Sequence, residues 1–503
     1  MRRISLSLAL VISCLLVLAA CGGKSKSSSA SSSSNGSSSI TGAEIAPASA
    51  TVFVSINTDS TGAQWKQAMK LLAGVPSLQT SLNKSLSSSG ITLADVEQAL
   101  GTTTVVVELG SSAKPTEVVL TNPADSAKLK SILAKDKKEK SVTTEIGSWL
   151  AIAKSQAALD QFKTAAASGK LADSSNFKTA VAGVSADALV KAYFKGSAIN
   201  ASALSSLTST STSTSTSTST STSTSTSSSM SKALSSAMAN NQVEWGTLTA
   251  SAVAKGISID GVFKSKTNLV NSSSSLVDEL PSGTSFAVDL NGKTLGLDKA
   301  VQNLSKNPKY SSQIPQIEAA LGVKLSDLAA LAGSEMSIYG TESGIGLLIK
   351  AQDAAKSKAM LDKAVGLLSA QLNGSSKSVT VAGVQATELT FGTTKIDYGV
   401  KDGNLFVVSD ASALPGNSKI SSDPVYNAAA TELPVPASNL GFAFIDFAKL
   451  ASLSTSGSSI VKGLGSSSGA NTNLSQLEGL SSLLGYASAS GDKVEIKALL
   501  STK

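Results

Sequence analysis

An internal duplication constrains this chain more than any other feature. Pro47 opens a segment whose apolar residues alternate at Val52, Val54 and Ile56, and Pro281 opens another with Phe286, Val288 and Leu290. Gly90-Ile91-x-Leu93-x-Asp95-Val96 returns as Gly322-Val323-x-Leu325-x-Asp327-Leu328. Asp125-Ser-Ala-Lys128-Leu-Lys130 through Lys135 returns as Asp353-Ala-Ala-Lys356-Ser-Lys358 through Lys363. Gly147-Ser-Trp149 matches Gly403-Asn-Leu405 loosely, and Ala192-Tyr193-Phe194 matches Ala443-Phe444-Ile445. Each half closes on an alternating segment, Ile257-Ser-Ile259-Asp and Val494-Glu-Ile496-Lys. The same order is kept in both halves, so one domain-sized fold is expected twice.

Periodicity gives the coarse content of one repeat. A strand opens it, and Trp65, Ala68, Met69 and Leu72 then share one helical face. A short helix at Leu93–Leu100 precedes strands at Thr104–Leu109 and Thr116–Leu120. Asp125 is placed to cap a helix. A hairpin-like pair follows at Ser141–Ile146 and Trp149–Ala153, and later a strand at Leu189–Phe194. Strands arriving in adjacent pairs on short Gly-containing turns favour antiparallel pairing over a doubly wound parallel sheet. The expected class is α+β, as two tandem homologous repeats, each a mostly antiparallel sheet with packed helices. The expected boundaries are 44–266 and 267–503.

Thr208 to Thr226 alternates Thr and Ser within a Ser-rich run over 205–229. A strand there would have hydroxyls on both faces and nothing apolar to bury, so disorder is expected. The run reads as a surface insertion, with O-glycosylation as the functional alternative.

The N-terminus carries an address. Arg2 and Arg3 give a basic start, Ile4 to Leu18 is almost wholly apolar, and Leu18-Ala19-Ala20-Cys21 follows. The run is short for a membrane span, which needs about 20 residues. It resembles a bacterial lipoprotein signal peptide with its lipobox. That resemblance implies a signal peptide over 1–20, cleavage between Ala20 and Cys21, and a diacylglyceryl group on the Cys21 thiol. Two acyl chains give stable anchoring, at about 0.8 kcal/mol per buried CH₂. The expected location is the extracytoplasmic face of the cell membrane. Residues 21–43 read as a Ser-rich flexible tether with a reach of roughly 25 Å.

Composition then removes chemistry. There is no histidine, and the two cysteines are Cys21 and Cys14, the latter inside the signal. The commonest general base and metal ligand are missing, and a zinc site lacks its donors. The only arginines are Arg2 and Arg3, so the mature chain has no guanidinium for bidentate phosphate recognition. Without them, 40 basic residues stand against 35 acids, a weak net charge of +5. Nucleic-acid binding is disfavoured. The densest basic cluster, Lys128 to Lys140, reads as a solvated helix end, or as a contact for anionic lipid or wall polymer.

Local motifs are weak. Asn291-Gly292-Lys293-Thr294 resembles the end of a phosphate loop, but Ala287 stands where the earlier glycine is needed, so a turn is expected. Gly463–Gly469 lacks a preceding strand. Ser-x-x-Lys occurs at Ser81/Lys84, Ser175/Lys178 and Ser459/Lys462 without the partner motifs of a Ser–Lys nucleophile. Asp59 and Asp289 read as turn or cap residues, with acid–base pairing across the repeats as the sharper alternative. No catalytic residue, metal site or cofactor is expected.

Asn57-Thr58-Asp59-Ser60-Thr61-Gly62-Ala63-Gln64-Trp65 is the most distinctive stretch. With Ala46–Ala50 and the helix ending before Pro76, it resembles a domain-of-unknown-function family of two-repeat envelope proteins from high-GC Gram-positive bacteria. The second repeat lacks Gln-Trp. The resemblance implies architecture and location, and no chemistry. Trp65 is expected to be a core anchor. The functional expectation is a membrane-anchored, non-enzymatic binding or scaffolding protein. The alternative is a carrier of lipid or another small apolar ligand. Candidate partners are the membrane itself, a lipid, a wall polymer or an envelope protein.

Overall fold

A computed structural model describes residues 40–87, 90–110, 115–135, 141–196, 243–294, 296–306, 311, 314–371, 374–392, 394–455 and 478–503. Ala20, Cys21, the 205–229 tract and Gly463–Gly469 lie outside them. The fold is mixed α+β, and every strand pairing described is antiparallel. The chain divides into two compact units.

The first unit holds β1 (Val52–Asn57), α1 (Ala63–Ala73), α2 (Pro76–Ser87), α3 (Leu93–Ala99), β2 (Thr103–Leu109), β3 (Thr116–Thr121) and α4 (Ser126–Lys135). It continues with β4 (Val142–Ile146), β5 (Trp149–Ala153), α5 (Gln156–Ala167), α6 (Ser175–Val181), β6 (Val190–Lys195), β7 (Val243–Val253) and β8 (Gly256–Ser265). Its sheet runs β4-β5-β3-β2-β1-β6-β7-β8. A final strand, Lys493–Thr502, pairs with β8 from Lys493↔Lys264 to Ser501↔Gly256. The closing segments of the two halves therefore pair with each other. Residues 478–481 and Asp492–Lys503 belong to the first unit, although the sequence places them in the second.

One face of this sheet is a dense aliphatic and aromatic core beneath α5 and α6. Phe177 stands edge-on to Phe53 at 5.7 Å and to Tyr193 at 5.2 Å, and Trp149 and Trp245 fill the same core. Ile40 and Ala43, placed with the tether on composition, are buried in it at 3% and 0% exposure. Ile40 is the first bulky apolar residue after the Ser run, and its burial begins the domain earlier than expected. Gly42 lies between them at φ 95°, where an added Cβ would meet Val105 Cγ2 at 2.5 Å. Gly42→Ala is expected to cost about 2–3 kcal/mol through backbone strain and overpacking. Urea unfolding of the variant beside wild type measures it.

The second unit holds β9 (Ser272–Ser273), β10 (Phe286–Asn291), α7 (Leu297–Lys306), α8 (Ile314–Leu321), α9 (Leu325–Ala332), β11 (Glu335–Gly340), β12 (Ile345–Ile349) and α10 (Ala354–Gln371). After these come β13 (Ser375–Val381), β14 (Val384–Phe391), β15 (Thr394–Lys401), β16 (Asn404–Val408), α11 (Pro424–Glu432), β17 (Ser438–Asn439), β18 (Gly441–Asp446), α12 (Phe447–Thr455) and β19 (Leu480–Ser490). The C-terminal strand is β20. The order is β13-β14-β15-β16-β12-β11-β10-β18-β19, and β9 pairs separately with β17. Lys449 pins this unit together. It pairs with Asp423, the cap of α11, with Asp446, the cap of α12, at 3.4 Å, and with the Ser282 carbonyl at 3.2 Å.

Candidate functional site

The second unit's sheet has two faces of opposite character. Cross-strand register places Gly346, Tyr339, Ala287, Phe444 and Leu484 in one row, and Leu348, Ser337, Asp289 and Phe442 in the next. These eight side chains and Gly346 are closed to solvent. The opposite face has three rows. They are Ile345-Gly340-Phe286-Ile445-Leu483, Leu347-Ile338-Val288-Ala443-Gly485 and Ile349-Met336-Leu290-Gly441-Ala487. None of those fifteen positions carries a polar side chain, yet most are half-buried and Val288 is 37% exposed. Apolar surface of this kind is costly to leave in water at about 25 cal/mol per Å², and contiguous apolar patches mark interaction sites.

The first unit repeats the pattern at β7, β8 and β20. Leu248, Ala250, Ile259, Phe263, Val494 and Ile496 share one face, half-buried or, for Ile496, 37% exposed. The opposite face of the same strands carries Thr247, Thr249, Asp260, Glu495 and Lys497. Helix α1 is fastened to β7 by side chains. β6 ends its pairing at Ala250. Beyond it the Gln64 carboxamide donates to the Ala252 carbonyl at 3.2 Å and accepts from the Ala252 N–H at 2.8 Å, and Gln67 donates to the Val253 carbonyl. Trp65 stands beside Gln64 with Ala68, Leu71 and Leu72 on the buried side of α1, as an anchor should.

A buried acid pair occupies the packed face of the second unit. Asp289, 2% exposed, accepts from Ser274 Oγ at 3.1 Å. Its other oxygen has no partner, and neither has the Oγ of Ser337, its cross-strand neighbour. Glu335, 4% exposed, accepts from the Leu276 N–H at 2.7 Å and from Ser275 Oγ at 3.0 Å, with Lys350 Nζ 3.7 Å away. Burial raises the Asp289 carboxyl to about 7, and the Glu335 charge adds to the rise. The two acids thus hold Ser274–Leu276 onto the sheet. In the first unit the register positions of Asp289 and Ser337 are taken by Ser55 and Val105, and Ser55 Oγ donates to the Thr41 carbonyl at 3.2 Å.

The model of the family described as "Protein of unknown function (DUF3352)" matches residues 121–482. The chain belongs to this family. The matched span begins after Ala46–Ala50 and Gln64-Trp65, the stretches that carried the resemblance in the sequence. No curated protein matches the chain. Crystal forms IV and III of TP0453 are similar at 12% and 11% identity, with TM-scores of 0.21 and 0.20. They cover 46% and 44% of this chain and 94% and 93% of their own. A likeness that slight bears on neither fold nor function.

The other expected residues fall as follows. Asp59 is committed to its own turn, accepting from Thr61 N and Oγ1 at 2.9 and 2.6 Å, which holds its carboxyl below the usual range. Asp289 serves its own unit. Ser175 and Lys178 are both exposed on α6. Asn291 Oδ1 accepts from the N–H groups of Lys293 and Thr294, which is a turn. Lys128 pairs with Asp95 at 3.1 Å and Lys130 with Glu145 at 2.9 Å, so the described part of the basic cluster is tied within its unit. Among the described residues no group of three or more His, Cys, Asp or Glu side chains could hold a metal. No helix there is long and apolar enough to cross a membrane. Glu335 and Ser337 were not singled out from the sequence. Their only signal is polarity at alternate positions of an otherwise apolar strand.

Proposed function

We propose that this protein is a non-enzymatic envelope lipoprotein, held at the extracytoplasmic face of the membrane through Cys21, that binds the acyl chain of a lipid. The observation that carries the reading is the half-exposed apolar sheet face, free of polar side chains over five strands of the second unit and matched on β7, β8 and β20. An acyl chain has no hydrogen bonds to satisfy and needs only such a surface. The lipobox sequence supports the anchoring, and the resemblance noted above supports an origin in a high-GC Gram-positive envelope.

The two units are further proposed to be repeats of one ancestral fold. Residues matched in sequence make matched contacts. Asp95–Lys128 and Asp327–Lys356 are ion pairs at 3.1 and 2.8 Å. Lys135 and Lys363 donate to the carbonyls of Gly90 and Gly322. Pro47 bridges to Lys170 as Pro281 bridges to Lys419. In each unit the opening strand sits between two strands, β2 and β6 or β11 and β18, and β6 and β18 are matched in sequence.

Native mass spectrometry of protein extracted gently from its own membranes tests the binding reading. A lipid-sized adduct beyond the covalent anchor, removed by organic extraction and restored by added lipid, is expected. A protein that stays at its covalent mass under every lipid tried overturns the reading. The intact mass of the N-terminal fragment tests Cys21 separately, and an unlipidated cysteine overturns the anchor.

A further inference from the structure

The chain leaves the first unit at Asn268 and enters the second at Leu269. Both ends of that passage are fastened. Before it, the Ser265 N–H donates to the Asp492 carbonyl at 2.8 Å, and Ser265 pairs in register with Val243. After it, the Asn271 carboxamide donates to the Ala489 carbonyl at 3.0 Å and accepts from the Ala489 N–H at 2.6 Å. Between these ties Asn268, Leu269 and Val270 lie in no helix, strand or turn. Among the described residues none hydrogen-bonds to them. Val270 is 77% exposed, against 37% for Val288 and Ile496. An exposed irregular segment with no hydrogen bonds to break is where a protease gains entry to a folded chain.

Cutting there does not free the C-terminal piece, because that piece completes the first unit. It supplies residues 478–481 and Asp492–Lys503. Nine residues of β20 pair with β8, and Leu480 and Leu499 are 5% and 4% exposed. The Lys503 N–H donates to the Gly479 carbonyl at 2.9 Å. Gly479, at φ 101°, lies so close to Val75 that an added Cβ would meet Val75 Cγ2 at 2.8 Å. The first sheet is therefore built from strands on both sides of the passage.

We propose that Asn268–Val270 is a processing site for an endopeptidase selective for bulky apolar residues, and that cleavage yields a two-chain protein held together by β20. Water adds across the Asn268–Leu269 or the Leu269–Val270 amide bond. A carboxylate is left on the N-terminal chain and an ammonium on the C-terminal one. The ties at Ser265 and Asn271 lie outside the cut and persist. What changes is the nature of the link. Before cleavage β8 and β20 belong to one chain and cannot part for good. Afterwards their pairing is an association of two chains, governed by mass action. The proposal is independent of the acyl-chain reading above.

Brief digestion of the full chain with thermolysin, which cuts on the amino side of bulky apolar residues, tests both parts. Sequencing of the products is expected to give new N-termini at Leu269 or Val270. The nicked protein should elute with intact protein in size exclusion and separate into its pieces only in concentrated urea. The β20 amides should keep their protection from hydrogen exchange after the cut. Leu269→Ser combined with Val270→Ser should lose the cut at an unchanged melting temperature. Digestion elsewhere that leaves Asn268–Val270 whole overturns the site, and so does a lowered melting temperature of the double variant, which would show these side chains packed. Pieces that separate without denaturant, or β20 amides that lose protection, overturn the two-chain form.

Discussion

Deleting Asp492–Lys503 lowers the unfolding temperature by about 10 °C and opens the first unit to proteolysis at Val243–Ser265. The reason is that β20, last in sequence, completes a sheet begun some 440 residues earlier. Nine residues of β20 pair with β8, Leu499 is 4% exposed, and Val494, Ala498 and Leu500 are half-buried. Burial of those four side chains is worth about 4 kcal/mol. A loss of that size moves the melting point of a 150–250-residue unit by roughly 2–4 °C per kcal/mol. The deletion also removes the hydrogen bonds from Ser265 N to the Asp492 carbonyl and from Thr502 N to the Lys255 carbonyl. It leaves β8 as a long apolar edge strand, a template for association with other chains. Thermal unfolding with limited proteolysis measures both effects. A truncated chain that melts with wild type and resists the protease would show that the first unit is complete without β20.

That strand also shows what sequence periodicity leaves open. Alternation at Val494 and Ile496 announced a strand and its two faces, and both are present. It did not announce the partner. Ile257–Asp260 and Val494–Lys497 read alike, each closing its own half, and register is a property of two strands together. Elements whose neighbours are close in sequence came out well. Trp149–Ala153 is a strand with the expected bounds, and Asp125 does cap α4, accepting from the Lys128 N–H at 2.8 Å. On α1 the expected face was right except that Leu71 is buried where Met69 had been placed.

The site was less legible, because alternation does not say which face is inside. Phe286, Val288 and Leu290 would ordinarily be assigned to the core, with Ala287 and Asp289 outside. The structure inverts this: Ala287 is 0% and Asp289 2% exposed, while Val288 is 37% exposed. The cause lies on neighbouring strands. Tyr339 is fully buried beside Ala287, and its ring lies where a Cβ on Gly346 would stand, 2.1 Å from the nearest ring atom. Small residues flank the ring on both sides, so the packed face is the one with Ala287. Asp289 and Ser337 are carried inside with it. A polar pair in a core and an apolar face near water violate local pattern rules, and such violations concentrate where a protein functions.

Asp289 turns that inversion into a pH dependence. Its carboxyl rises from an ordinary 3.8 to about 7, first because burial strips its water and second because Glu335 is near. The folded state therefore holds a proton that the unfolded chain has released between those two values. With more protons bound in the folded form, stability falls as pH rises. The protonated form's full advantage is present below 3.8, and it is gone above about 7. Over that window Asp289 removes about 4 kcal/mol, at 1.36 kcal/mol for each pH unit. Asn has the same shape and no charge. Its carbonyl can accept from Ser274 as the Asp289 carboxyl does. Asp289→Asn should match wild type near pH 4 and exceed its unfolding free energy by a few kcal/mol at pH 8, in urea titrations run at each pH. Comparing the variant with wild type cancels the other carboxylates, whose pairing weakens on acidification. Parallel pH profiles for the two proteins would mean that Asp289 titrates in the ordinary range. Glu335, which holds Ser275 and Leu276, is repelled by the ionised Asp289 carboxylate, so ionising Asp289 should also loosen this segment. Faster hydrogen exchange at Leu276 at pH 8 than at pH 5, after correction for intrinsic rates and absent in Asp289→Asn, is the local form of the same result.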